Sequence, residues 1–94
     1  MIKSYKLKFD ELSREIMATD PNIVYTPFES NVMLQAQFKS PKKQHVAYIY
    51  MKKTYGYGNL YIIELVDPLT NEVATRFTQT GRHQIVRRLN KLWV

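Results

Sequence analysis

Apolar residues enter the chain at helical spacing. Ile2, Tyr5, Phe9, Leu12 and Ile16 follow one another at intervals of 3, 4, 3 and 4, which places them on one face of an α-helix. The spacing predicts a helix over about residues 4–18, with Ser4 as its N-cap and Pro21 beyond its end, because proline cannot continue a helix. A strand over residues 2–9 is the competing reading, since Tyr5, Leu7 and Phe9 also alternate, but the 3.6-residue period spans more of the segment. From Ile23 the period falls to two. "NIVYTPFES" predicts a short strand broken at Pro27 by a bend. "VMLQAQFK" (32–39) alternates Val32, Leu34, Ala36 and Phe38 with Met33, Gln35, Gln37 and Lys39, the signature of a half-buried strand. After the turn "SPKKQ" come "HVAYIYMKK" (45–53) and "NLYIIELV" (59–66), rich in β-branched and aromatic residues. "DPLTNE" (67–72) then reverses the chain into "VATRFT" (73–78). Ile85, Val86, Leu89, Leu92 and Trp93 form the apolar stripe of a last helix, capped by Thr78 or Thr80.

The order that results is α-β-β-β-β-α. It predicts an α+β fold, a four-stranded antiparallel meander with one face packed on an N-terminal and a C-terminal helix. Ile49, Met51, Tyr61, Ile63, Leu65, Val73 and Phe77 are expected to face the helices, and Leu89, Leu92 and Trp93 to pack against them.

Ninety-four residues leave room for one small core, so a single domain spanning residues 1–94 is expected. The chain has no cysteine, which removes disulfides and thiolate metal sites. No apolar run approaches the roughly 20 residues of a membrane span, and the start lacks the apolar segment of a secretory signal; a cytoplasmic protein is expected. The net charge of +6 is unevenly distributed. Residues 1–38 hold four Lys/Arg against five acids, and residues 39–94 hold ten against three. That asymmetry suits a polyanion or an acidic protein surface, although a basic balance also serves solubility.

If the strand alternation holds, Tyr48, Tyr50, Lys52, Ile62, Glu64 and Arg76 lie on the sheet face away from the helices. Lys53, Tyr55 and Tyr57 continue this set into the hairpin tip "KKTYGYG". Cations bind phosphates and flat rings stack on bases, so the mixture suits DNA or RNA. Tyrosine and arginine also mark protein interfaces, so a protein partner competes. On the last helix, Arg87, Arg88 and Lys91 share the face opposite the apolar stripe; they can track a phosphate backbone or simply complement the helix's negative end. Lys39, Lys42, Lys43 and His45 read as a solvated loop. Catalysis is not expected. His45 and His83 are the only histidines, no metal-ligand spacing occurs, and "GYGN" lacks the Gly-Lys-Ser/Thr of a phosphate loop. Accordingly no metal, cofactor or small-molecule substrate is expected.

Residues 46–93 (strand, hairpin, strand, "DPLTNEV", strand, helix) resemble the three-stranded-sheet-plus-helix DNA-binding domains at the start of many phage-type integrases. The resemblance covers about half of the chain and rests on element order and the shared turn. It implies that the open sheet face would press into a DNA groove. The whole chain also looks like small phage-encoded inhibitors, anti-CRISPR proteins among them, which implies docking on a protein. Many of those inhibitors are acidic mimics of nucleic acid, which the basic C-terminal part does not match. The leading expectation is a non-enzymatic nucleic-acid-binding module; the alternative is an inhibitor or adaptor for an acidic protein partner.

Overall fold

The computed structural model describes residues 2–52 and 60–94, with side chains from Lys6 onward. Its elements are α1 (Ile2–Met17), β1 (Val24–Glu29), β2 (Met33–Lys39), β3 (Val46–Lys52), β4 (Tyr61–Val66), β5 (Val73–Gln79) and α2 (Arg82–Leu92). The fold is α+β as expected, but the antiparallel meander has five strands in the order β1-β2-β3-β4-β5, not four. The fifth strand is "VYTPFE": the short strand expected there is not broken at Pro27 but continues through it to Glu29 and joins the sheet. Pro27 stands opposite Ala36 on an edge strand, where a residue without an N–H is tolerated because only one side of the strand is paired. The reversal comes later, at Ser30, whose Oγ accepts from the amides of Val32 and Met33 at 3.3 and 3.1 Å.

α1 starts at Ile2, upstream of the expected cap at Ser4. Its C-terminal end closes at Thr19, whose hydroxyl donates to the carbonyl of Ile16 at 2.7 Å. α2 is capped by Gly81 rather than by Thr78 or Thr80, with no side-chain hydrogen bond. The β4–β5 turn forms as "DPLTNE" predicts. Asp67 Oδ1 accepts from the amide of Leu69 at 2.8 Å, and Asn71 takes the left-handed conformation (φ 61°) that closes the turn.

Both helices lie on the same sheet face. Phe9, Leu12 and Ile16 of α1 and Ile85 and Leu89 of α2, with Trp93, share one buried cluster with Leu34, Phe38, Ile49, Met51, Tyr61, Ile63, Leu65 and Phe77. An ion-pair seam joins the helices: Arg82 reaches Glu11, and its Nε lies 3.3 Å from a carboxylate oxygen of Glu15. Two expected core residues are not buried. Leu92 is half-exposed because α2 ends there and the apolar stripe passes to Trp93. Val73 begins the edge strand next to a β-bulge at Leu65/Val66 and is likewise half-exposed.

Trp93 closes the core. It is 3% exposed, and its Nε1 donates to the carbonyl of His45 at 2.7 Å. The amide of Gln44 donates to the carbonyl of Val94 at 3.0 Å, so the chain's last residues are stitched to the β2–β3 turn. That turn is anchored from a second side, where Ser40 Oγ donates to Asp20 Oδ2 at 2.9 Å.

Candidate binding face of the sheet

Both helices lie on one side, so among the described residues no helix covers the other sheet face, and the pairing register fixes what it presents. Two rows cross all five strands. One runs Phe28, Gln35, Tyr50, Ile62, Thr78; the other runs Thr26, Gln37, Tyr48, Glu64, Arg76. Neighbouring members of a row stand about 5 Å apart. Tyr48 and Tyr50 therefore sit on the central strand with glutamine amides on the β2 side. Both tyrosines are half-buried. Alternation alone places them here, because Ala47, Ile49 and Met51, the residues between and beside them, are buried on the helix side.

The tyrosines differ in their surroundings. Burial pushes the Tyr50 phenol up to about 12; its hydrogen bond to Glu64 and the charge of that carboxylate add to the shift, and Arg76 opposes it. Arg76 Nε lies 3.5 Å from Glu64 Oε2. Tyr50, Glu64 and Arg76 thus form one linked group that fixes the Tyr50 hydroxyl and pairs the Arg76 cation of the edge strand β5. Lys52 and Lys39, at the ends of β3 and β2, are exposed.

The expected site residues do not form one surface. Tyr48, Tyr50, Lys52 and Arg76 share the open face. Arg87, Arg88 and Lys91 belong to α2, on the far side of the sheet. Arg88 is engaged there: its guanidinium lies 4.2 Å from the centroid of the Phe77 ring and contacts Gln79 at 3.4 Å, so it covers the core. Arg87 and Lys91 are exposed. Lys53, Tyr55 and Tyr57 lie outside the described residues.

Several other charged side chains are held in local structure. Asp67 shapes a turn, Glu11 and Glu15 bind Arg82, and His83 Nδ1 is 3.7 Å from Glu15. Among the described residues no three His, Asp or Glu side chains are grouped as a metal site requires, and no helix is long and apolar enough to cross a membrane. Gln35 and Gln37 were legible as outward-facing from the alternation of β2 but carried no chemical signal on their own; only the register sets them beside the tyrosines. Comparison with protein-family models, with curated proteins and with solved structures finds no match.

Proposed function

We propose that this protein is a non-enzymatic module that binds single-stranded nucleic acid on the open face of its sheet. The observation that carries the reading is the placement of Tyr48 and Tyr50 on the central strand, on the sheet face that neither helix covers, with the amides of Gln35 and Gln37 beside them. Rings on a central strand give unstacked bases a platform, and the amides offer donors and acceptors to base edges. A rigid sheet backed by two helices keeps the platform in place. A duplex hides its base faces, so the tyrosines favour a single strand. Asp67, Glu11, Glu15 and Glu64 serve a turn and ion pairs, which supports a binding role over a catalytic one.

A second reading, docking on an acidic protein, is favoured by the exposed Phe28 and Val24 along the outward side of β1, which a protein would cover. Fluorescence anisotropy with labelled mixed-sequence oligonucleotides, single- and double-stranded, separates the two. Single strands should bind more tightly than duplex. Tyr48→Leu and Tyr50→Leu, which keep apolar volume but remove the ring, should each weaken binding by about 1–3 kcal/mol, the range for base–aromatic stacking. Equal binding by the parent and both variants would refute the platform, and tighter binding to duplex would refute the single-strand reading.

A further inference from the structure

Along the sequence, Lys39, Lys42, Lys43 and His45 look like a charged turn with no particular purpose. The fold gives the turn neighbours that the sequence does not show. Three separated segments meet there: the start of β1 at Val24, the β2–β3 connection from Lys39 to Val46, and Pro68 of the β4–β5 turn. They enclose an open cup of about 310 Å³. Val24, Pro41, Val46 and Pro68 give it a mainly apolar lining, Lys39, Lys43 and His45 stand around it, and among the described residues no acidic residue lines it.

The cup is built on a fixed frame. The His45 carbonyl is held by Trp93, the Gln44 amide by Val94, and Ser40 by Asp20. Within the turn the Lys43 amide donates to the Ser40 carbonyl at 3.1 Å. Lys43 Nζ lies 5.4 Å from the centroid of the Trp93 ring, so its charge is positioned by the same residue that anchors the turn.

The cup also adjoins the tyrosine face. Val24 and Lys39 are register partners on the outward side of β1 and β2. Val46 precedes Tyr48 by two residues and shares its side of β3. At about 3.4 Å per residue, Tyr50, Tyr48 and Val46 follow one another at intervals of about 7 Å along the strand. A chain stacked on the two rings therefore runs into the cup.

We infer that this cup is the phosphate-binding subsite of the sheet face, an inference that rests on the single-strand reading above. Lys39 and Lys43 contact the phosphodiester, and the exposed Val24 and Pro68 pack against the attached sugar or base. Phosphate contacts position a strand without reading its sequence, while the rings carry stacking. Arg87 and Lys91 of α2, the cations most prominent in the sequence, cannot serve the same strand because the sheet lies between.

The test compares two charge-matched pairs. Lys39→Gln with Lys43→Gln alters the cup; Lys8→Gln with Arg14→Gln removes the same charge from exposed positions of α1 on the helix side. Anisotropy is measured with labelled mixed-sequence single-stranded DNA and RNA over a range of salt concentrations. The cup pair should flatten the slope of log K against log salt by roughly 0.7 for each phosphate deprived of its cation, and the α1 pair should leave it near the parent value. If Lys43→Gln loosens the fold, as a lower melting temperature would show, Lys39→Gln alone should give about half of the change. An unaltered slope, or the same alteration in both pairs, overturns the subsite and leaves the tyrosine platform standing. A parent protein that binds neither DNA nor RNA overturns both.

Discussion

Replacing Trp93 with alanine tests how the fold is closed and how the proposed subsite is held. The side chain is 3% exposed and joins a core shared by both helices and the sheet. Truncating a buried aromatic of this size costs about 3–5 kcal/mol through reduced burial and the cavity left behind. The variant also loses the 2.7 Å hydrogen bond to the His45 carbonyl, which contributes about 0.5–1.5 kcal/mol. For a domain of this size each kcal/mol shifts the melting temperature by roughly 4–8 °C, so the truncation alone predicts a drop of roughly 12–40 °C. Against a typical total stability of about 5–15 kcal/mol, the variant stands near the edge of folding. Urea denaturation followed by circular dichroism measures the change at constant temperature. Trp93→Phe separates the two contributions: it keeps most of the buried ring and removes the indole donor, so it should cost only about 0.5–1.5 kcal/mol. It should also weaken single-strand binding, because the turn that carries Lys43 loses an anchor. A Trp93→Ala protein melting within a few degrees of the parent would refute the packing argument and the role of Trp93 as the clamp on the β2–β3 turn.

Two further outcomes follow from titrating groups. The Asn22 amide and the Ser40 hydroxyl hold the Asp20 carboxyl below its ordinary value of 3.8, so its contribution to stability is full above that value and is lost as pH falls through the depressed one. Asp20→Asn should lower the melting temperature at neutral pH and flatten the decline on acidification; a variant whose pH profile superimposes on the parent's would count against this anchor. The Tyr50 phenol, raised from 10.0 to about 12, favours the folded state fully below pH 10 and loses that effect as pH rises through about 12. In an ultraviolet tyrosine titration, Glu64→Gln should move this phenol down towards, but not to, its ordinary value, since burial is the larger cause; no movement would show that Glu64 does not hold the hydroxyl.

Periodicity in the sequence determined much of this protein. The 3.6-residue stripes located both helices, and the two-residue alternation sorted β2, β3 and β4 into a helix-facing set and an open set that includes Tyr48, Tyr50 and Glu64. Those assignments are local: once a segment is a strand, adjacent side chains must point to opposite faces. What sequence reasoning missed depended on neighbours. Pro27 reads as a break when the chain is taken alone, and only its position at the sheet's edge removes the need for its absent N–H. Leu92 belongs to the apolar stripe by spacing, yet the helix ends before the sheet can cover it. The packing of both helices on one sheet face, expected from the alternation, puts the cations of α2 and the tyrosines of β3 on opposite sides of the sheet. Conversely, Lys39, Lys43 and His45 gain meaning only when Val24 and Pro68, distant in the chain, come to line the same cup. Alternation sets which way a residue points. Which residues meet is set by packing between segments, through burial of a shared core that no single stretch of the chain contains.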